Sequence, residues 1–360
     1  MTSGGGLAGA GTGVGAGGGV AAGVGAGVGA GYAPGHHGEL LQGVFDDGTG
    51  RVRRALVTLP QPDRGSRAIF YPSQRHWGVV GTPELVKVRR AAILALRQFS
   101  MHPAPAKGGQ VEIISDVPRG IGMGSSTADV TATIRAVADY HGVALSREEV
   151  GRLAVLAECA ADSIMIDDRV VLFAHRDGVV LETLGHRLPP LLVVGCDTQP
   201  GVRVDTLGLP PAEYDDREVA TFGVLRSALR RAVATGDAAL LGRVATASAR
   251  INQRFLPKPG LEDLLEIGLR HGGCGIQVAH SGTVAGLVFD AGRPDAVDGA
   301  RRCAAAVEAL GLAPTGLIGT EPGLAAALAR PGRPPGPGAR TGRPLPWLAA
   351  APGAGVRAPA

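Results

Sequence analysis

The chain has 360 residues, of which 45% are hydrophobic, and a formal net charge of +4 at pH 7. This length is enough for one large domain or two smaller ones with an ample core. Beyond Glu321 there are five arginines and no acidic residue, which leaves the remainder with a net charge of about −1. A basic surface for nucleic acid is therefore not expected.

The two ends differ in composition from the middle. Residues 3–30 are almost entirely Gly, Ala and Val, and residues 331–360 are rich in Pro, Gly, Ala and Arg. Such segments cannot build a packed core, so we predict disordered tails at 1–30 and 329–360. The sequence has no strongly apolar run long enough for a membrane span. It also has no Lys or Arg before Arg51, which argues against a signal peptide. Four cysteines without C-x-x-C spacing are typical of a reducing compartment, so we expect a cytoplasmic protein.

The first half of the sequence predicts strands followed by helices. Pro83 suits the first turn of a helix, and Ser146 with Glu149 forms a capping box before another. β-branched and aromatic runs indicate the strands, and apolar residues at helical spacing indicate the helices. The expected elements are strands at 54–60, 67–72 and 109–118, helices at 82–99, 126–142 and 146–165, and a hairpin at 169–185 that turns at Asp177-Gly178.

The second half predicts a mixture of strands and helices. The expected elements are a strand at 189–198, two helices within 217–254, a helix at 261–273, two strands within 275–290 around the turn HSGT, a helix at 295–310 and a strand at 315–320. This order is typical of an α+β domain. We therefore predict two domains, at 31–187 and 188–328.

A glycine-rich loop, PRGIGMGSSTADV at 118–130, joins a predicted strand to a predicted helix. Its glycines allow the backbone to turn closely around a ligand, and the residues after them expose the first unpaired N–H groups of the helix. Those groups favour an anion such as phosphate. The alternative is a tight connection with a serine cap and Asp129 completing a capping box. The residues that we expect to bind a nucleotide are Pro118, Gly120, Gly122, Gly124, Ser125, Ser126 and Thr127.

Two well-known phosphate-binding loops are excluded here. The P-loop requires a lysine where this chain has Ser125, and the dinucleotide fingerprint requires a third glycine where it has Thr127. A loop without its own lysine depends on backbone donors and on a metal ion held elsewhere.

Glu158 and Asp162 lie four residues apart in an apolar segment. On the predicted helix 146–165 they would share one face. Burying such charges costs several kcal/mol unless they are paired or bound to metal, so a functional pair is expected. The alternative is two solvated acids on an exposed face.

Three motifs together resemble those of the GHMP kinases, which include galactokinase, homoserine kinase and mevalonate kinase. The pattern P-x-x-x-G-x-G-S-S beginning at Pro118 is similar to the second motif of the family. The segment APGHHGELLQG at 33–43 resembles the first motif, and GGCGIQVAHSGTVAGLVF at 272–289 stands where the third belongs. The combination is most like the L-threonine kinase branch. The family has a strand before the first motif, and from AGVGAGVGAG only a weak strand is expected.

This resemblance implies a fold, cofactors and a metal site. The fold is the two-domain GHMP kinase fold of class α+β, with an N-terminal half like domain 2 of ribosomal protein S5 and a ferredoxin-like C-terminal half. ATP would lie against residues 118–128, and Mg²⁺ would be held by Ser126 and Glu158. Asp162 would take the proton of the acceptor hydroxyl, or Asp167 or Asp168 if the helix ends early.

The resemblance and the polar residues outside the glycine-rich loop suggest a second set of residues, which would bind the acceptor. Glu39 is either a local cap or the partner of a substrate amine, and His36 and His37 are turn residues or face the substrate. The turn with His280, Ser281 and Thr283 either is satisfied internally or contacts the substrate or phosphate. Lys87 can approach phosphate or be a solvated surface residue, and Asn252 can form a cleft wall.

The expected function is ATP-dependent phosphorylation of an amino acid-like alcohol, with L-threonine converted to O-phospho-L-threonine as the first choice. The alternatives are homoserine or another small alcohol as acceptor, and a non-catalytic nucleotide-binding sensor on the same fold. The expected partner is a small-molecule substrate, without nucleic acid or membrane, and a homodimer is possible.

Overall fold

The computed structural model describes residues 27–75, 77–81, 84–103, 105–204, 212–321 and 324. Within them, ten strands form one sheet. The strands are β1 (Gly29–Asp46), β2 (Val52–Ser73), β3 (Gly78–Val80), β4 (Gly108–Ser115), β5 (Val170–Ala174), β6 (Val179–Gly185), β7 (Leu191–Asp197), β8 (Gly275–Val278), β9 (Val284–Asp290) and β10 (Ala313–Gly319). The helices are α1 (Val86–Gln98), α2 (Ser125–Tyr140), α3 (Arg147–Glu158), α4 (Asp216–Thr235), α5 (Ala238–Asn252), α6 (Leu261–Arg270) and α7 (Ala296–Ala309).

The sheet runs through both halves of the chain. Its order is β10-β7-β9-β8-β1-β2-β4-β3, with β5 pairing with β2 and β6. The C-terminal part, β10-β7-β9-β8, is antiparallel with helices between β7 and β8 and between β9 and β10. This is the ferredoxin-like order that was predicted. The two halves join where Glu39 of β1 pairs with Val278 of β8.

The first strand begins in the glycine-rich stretch. A side chain at Gly29 would come within 2.0 Å of the carbonyl oxygen of Ala136 in α2, and one at Gly31 within 2.1 Å of that of Ala132. Glycine therefore lets the helix pack directly on the strand. The strand starts inside the predicted tail 1–30, whereas residues 1–26 and the predicted tail 329–360 lie outside the described residues.

One predicted helix is shorter than expected. The prediction of a helix at 146–165 is wrong beyond Glu158, because Cys159 takes the left-handed conformation with φ 69° and ends α3. The chain then turns, and Ser163–Met165 form a short 3₁₀ helix with Asp162 at its N-cap. Glu158 and Asp162 are consequently not neighbours on one helix face.

The other predicted elements are present with shifted ends. The capping box of Ser146 and Glu149 is confirmed, as is the hairpin turn at Asp177-Gly178. The two strands predicted at 54–60 and 67–72 are parts of the single long strand β2. Pro83, expected in the first turn of a helix, lies outside the described residues.

The core holds the two halves together. One buried cluster combines Leu40 of β1 with Phe222 and Leu229 of α4. A smaller cluster, with Met123 and Val284, packs beneath the glycine-rich loop. Burial of such side chains stabilises by about 25 cal/mol per Å² of apolar surface, so loop and sheet are fixed together. Among the described residues, no helix combines the length and hydropathy that crossing a membrane requires.

Candidate active site

The glycine-rich loop, residues 118–124, leads into α2. Gly120, Gly122 and Gly124 have φ values of 80°, 90° and 72°, which favour glycine. α2 has Gly124 as its N-cap and no side-chain cap. Its first N–H groups are thus available to an anion. The alternative of a capping box is wrong, because Asp129 instead accepts hydrogen bonds from Ser66 and Arg119.

A cavity of about 260 Å³, here called the loop cavity, opens over this loop. Of the residues predicted to bind a nucleotide, all but Pro118 line it, as do Lys87, Glu158, Asp162, His280 and Ser281. The loop cavity therefore brings the helix N-terminus and the carboxylate pair to one place.

Glu158 is buried beside the start of α2. Its Oε2 accepts a hydrogen bond from Ser126 Oγ at 2.6 Å, and its Oε1 accepts one from Thr127 Oγ1 at 2.7 Å. Lys87 Nζ lies 3.6 Å from Oε2. Burial raises the pKa of Glu158 to about 7, although the two hydroxyls and Lys87 oppose the shift.

Asp162 is buried next to Glu158 despite the break in the helix. Thr127 Oγ1 lies 3.2 Å from Asp162 Oδ2, so this hydroxyl stands between the two carboxylates. Burial alone would raise the pKa of Asp162, but the imidazoles of His36 and His280 outweigh it and hold the pKa well below its usual range. The alternative of two solvated acids is wrong, since both are less than 10% exposed.

Asp167 and Asp168, considered as substitutes for Asp162, lie elsewhere. Asp167 pairs with Arg135 and Arg147, and Asp168 pairs with Arg169. These are partly exposed ion pairs outside the loop cavity.

His36 connects Asp162 to the first motif. Its Nε2 donates to Asp162 Oδ2 at 2.9 Å, and the Gly38 N–H donates to its Nδ1 at 3.0 Å. Burial would lower the pKa of His36, but the carboxylates of Asp162 and Glu39 together raise it to about 9. In either protonation state Nε2 carries the proton that is donated to Asp162, whereas Nδ1 accepts from the Gly38 N–H only when the ring is neutral.

Glu39 is buried and is engaged by His280. Its Oε2 accepts from the His280 N–H at 2.6 Å, and its Oε1 lies 3.1 Å from His280 Nδ1. Ligand atoms of His36, Glu39 and Asp162 lie within 4.8 Å of one another, yet hydrogen bonds already link them through the two histidines. Glu39 therefore positions His280, and its side chain does not line the loop cavity.

The predicted polar turn at 280–283 docks on the glycine-rich loop. The Thr283 N–H donates to the carbonyl oxygen of Ile121 at 2.9 Å, and Gly282 lies against Gly122. Thr283 is buried and does not line the loop cavity, whereas His280 and Ser281 do. The turn thus joins the C-terminal half to the glycine-rich loop.

His37 points away from the loop cavity. Its Nε2 lies 2.8 Å from Thr315 Oγ1 and its Nδ1 lies 2.6 Å from Gln277 Nε2. Burial, reinforced by the charge of His36, lowers the pKa of His37 to about 3. In this structure the residue packs within the C-terminal sheet, apart from the predicted substrate site.

A further cavity, here called the second cavity, was only partly foreseen. It encloses about 110 Å³, and of its polar lining residues only Asn252 and His280 were singled out in the sequence. The others include Gln42, Arg54 and His175, which come from β1, β2 and the β5–β6 turn. No sequence spacing links them, because the topology alone brings these segments together.

Comparisons with known proteins agree with this geometry. The family model described as GHMP kinases N terminal domain matches residues 86–171, and GHMP kinases C terminal matches residues 225–306. An L-threonine kinase of Salmonella typhimurium is 30% identical over 222 residues, which are 60% of this chain and 73% of that protein. The chain belongs to the GHMP kinase family. This GHMP kinase is a phosphotransferase that acts on the hydroxyl group of a small molecule.

Two further proteins resemble this GHMP kinase. An L-threonine kinase of Citrobacter freundii is 31% identical over 221 residues, which are 57% of this chain and 71% of that protein. The crystal structure of a homoserine kinase from Cytophaga hutchinsonii matches with a TM-score of 0.58 at 15% identity, covering 82% of this chain and 94% of that chain. The latter likeness concerns the fold, which is the predicted two-domain GHMP kinase fold.

Proposed function

We propose that this GHMP kinase transfers the γ-phosphoryl group of ATP to the hydroxyl of L-threonine, giving O-phospho-L-threonine. The observation that carries the proposal is the loop cavity, where the uncapped start of α2 faces Glu158 and Asp162. The acceptor is suggested by the two relatives at 30% and 31% identity, both of which are L-threonine kinases.

The phosphates of ATP would lie against the first turn of α2. Its N–H groups and the positive end of the helix dipole attract an anion, and the glycines allow the close approach. Lys87 lines the same cavity and would add a positive charge near the transferred group. Phosphoryl transfer depends mainly on this kind of positioning and charge stabilisation.

Ser126 and Glu158 would hold Mg²⁺. They offer a hydroxyl and a carboxylate oxygen, the donors that Mg²⁺ prefers, and these atoms already lie 2.6 Å apart. The raised pKa of Glu158, caused by burial, shows that its neighbours only partly compensate its charge. When bound, Mg²⁺ neutralises charge on the β- and γ-phosphates.

Asp162 would receive the proton of the acceptor. The threonine oxygen forms a bond to the γ-phosphorus while the bond from phosphorus to the ADP oxygen breaks, and the hydroxyl proton passes to a carboxylate oxygen of Asp162. A hydrogen bond from His36 Nε2 to Asp162 Oδ2, at 2.9 Å, holds that carboxylate in place. Asp162 thus orients the hydroxyl before it accepts the proton.

The test is a comparison of acceptors. The purified protein is incubated with ATP and Mg²⁺ plus L-threonine, L-serine or L-homoserine, ADP release is followed, and the product is identified by mass spectrometry. We expect the highest kcat/KM with L-threonine. A higher value with L-homoserine would reassign the acceptor within the same chemistry. Binding of ATP without ADP release for any acceptor would favour a nucleotide-binding sensor.

A further inference from the structure

The second cavity lies beside the loop cavity. The two share Ala160 and His280 as lining residues. Its volume of about 110 Å³ is below the roughly 300–1,000 Å³ of pockets that take drug-sized ligands. A ligand of only a few heavy atoms suits this volume, and its end next to His280 would face the transferred phosphoryl group.

The charged lining of the second cavity favours an anion. Arg54 and Arg176 line it, and no acidic residue among those described does. Arg54 is half-buried on β2, and its Nη2 donates to the carbonyl oxygen of Ala212 at 2.6 Å. Within the described ranges, no carboxylate pairs with Arg54. The adjacent Arg53, in contrast, pairs with Asp47 and Asp177.

Two residues of the cavity lining also carry buried polar atoms without a hydrogen-bond partner. Gln42 Oε1 and His175 Nδ1 are buried and have no hydrogen-bond partner in the described part of the chain. Burial, together with the charge of His280 and the nearby arginines, lowers the pKa of His175 to about 3, so its ring is neutral and one nitrogen accepts. An unsatisfied buried acceptor costs about 1–3 kcal/mol, so a donor placed next to either atom would be stabilised.

Hydrogen bonds of its backbone groups fix the position of Gln42 in the cavity wall. The Gln42 N–H donates to Ser248 Oγ at 3.0 Å, and its carbonyl oxygen accepts from Asn252 Nδ2 at 3.2 Å. Asn252 in turn accepts from the Tyr214 hydroxyl at 2.7 Å. The polar groups left over for a ligand are therefore the Gln42 amide, His175 Nδ1 and the arginines.

We infer that the second cavity binds the α-carboxylate and α-ammonium groups of the acceptor, with Arg54 holding the carboxylate and Gln42 and His175 accepting from the ammonium. A guanidinium matches a carboxylate with two parallel hydrogen bonds. The acceptor is thus a zwitterionic amino acid whose hydroxyl end lies toward His280. This inference rests on the proposed function for the phosphorylation of the acceptor. Binding of the carboxylate and ammonium groups can be tested without turnover.

The experiment compares Arg54→Gln with Arg53→Gln, a matched change at the neighbouring residue outside the cavity. The substrates are L-threonine and 1-amino-2-propanol, which keeps the amine and hydroxyl but lacks the carboxylate. Arg54→Gln should lower kcat/KM for L-threonine on the order of 10²-fold, since it removes the partner of a buried charge. It should leave kcat/KM for 1-amino-2-propanol within about threefold of the wild-type value, because that compound has no carboxylate for the guanidinium to bind. Arg53→Gln should change neither.

A second measurement does not depend on turnover. L-Threonine should raise the melting temperature of the wild-type protein and of Arg53→Gln, but not that of Arg54→Gln, and Arg54→Lys should retain part of the effect. Circular dichroism checks that each variant is folded. Equal losses for both substrates in Arg54→Gln, or full stabilisation of that variant by L-threonine, would overturn the inference. Stabilisation of the wild-type protein without any O-phospho-L-threonine would instead overturn the proposed function alone.

Discussion

Asp162 has an environment that limits it as a base. His36 and His280 hold its pKa well below the usual range in spite of burial. A carboxylate with so low a pKa gains little from taking a proton early in the reaction. Its geometry, fixed by the 2.9 Å hydrogen bond from His36, suits it to orient the hydroxyl and to accept the proton late. Asp162 therefore acts in two ways, by orienting the hydroxyl and by accepting its proton late in the reaction.

Asp162→Asn tests that role. The amide cannot accept a proton and loses the charge that pairs with His36, so kcat should fall on the order of 10²–10⁴-fold with nucleotide affinity little changed. Asp167→Asn is the control, because Asp167 is a surface partner of Arg135 and Arg147. Steady-state kinetics and calorimetry measure the two effects. A loss of tenfold or less would mean that charge stabilisation alone carries the reaction.

Glu158 predicts a pH dependence of metal binding. Burial raises its folded-state pKa to about 7, above the 4.5 of a solvated glutamate. Without metal, its contribution to stability is therefore lost as the pH rises from 4.5 towards 7, since the folded state prefers the protonated form. Mg²⁺ needs the carboxylate, so Mg²⁺-dependent nucleotide affinity should weaken about tenfold per pH unit below 7.

Calorimetry at pH 6 and pH 8 on the wild-type protein and Glu158→Gln checks this dependence. The nucleotide's own titration is common to both proteins, and only the wild-type protein should show the additional loss. The same pH dependence in both would exclude Glu158 as the metal ligand.

At the scale of elements, the sequence predicted most strands and helices but not the end of α3. Cys159 ends the helix in a left-handed conformation. The sequence gives no signal for this end, because the residue is neither glycine nor proline. The carboxylate pair was foreseen as helix neighbours, and instead Thr127 of α2 stands between them. The glycine-rich loop was recognisable because its chemistry is local. The second cavity was not, because Gln42, Arg54 and His175 meet only through sheet topology.

The glycine-rich loop and the turn at 280–283 form one unit. A side chain at Gly122 would come within 2.6 Å of Ala279 Cβ and 2.8 Å of Gly282 Cα, whereas the nearest atoms to one at Gly120 belong to the flexible Arg203 side chain, at 3.2 Å or more. Both positions have positive φ, so both alanine variants are strained. Gly122→Ala should therefore lower the free energy of unfolding by about 1–3 kcal/mol more than Gly120→Ala does. It should also weaken ATP binding more than Gly120→Ala does. Thermal unfolding and ATP titration measure the difference, and equal behaviour would show that the turn does not hold the loop.

For the whole molecule, the candidate active site lies where the two halves join. The β1–β8 pairing, the turn on the glycine-rich loop and the shared core each link the halves. Glu39 contributes to two of these, since it pairs with Val278 and binds His280. Stability and site geometry are therefore coupled across the chain. The first strand is part of this frame, because α2 rests on Gly29 and Gly31.

Truncation tests where this frame begins and ends. The low-complexity composition of residues 1–26 and 325–360 adds little apolar surface to bury, so deleting both should leave the melting temperature within about 2 °C and activity within about twofold. Extending the N-terminal deletion to Gly31 removes the first three residues of β1, on which α2 packs, and the hydrogen bond from the Ala30 N–H to Asp139 Oδ2 at 2.9 Å. That deletion should lower the melting temperature by several degrees, and activity with it, because α2 carries Ser126 and Thr127 at its start. A large loss already in the shorter deletion would show that one of the two deleted segments contributes to the fold, and no loss in the longer one would place the start of the fold after Gly31.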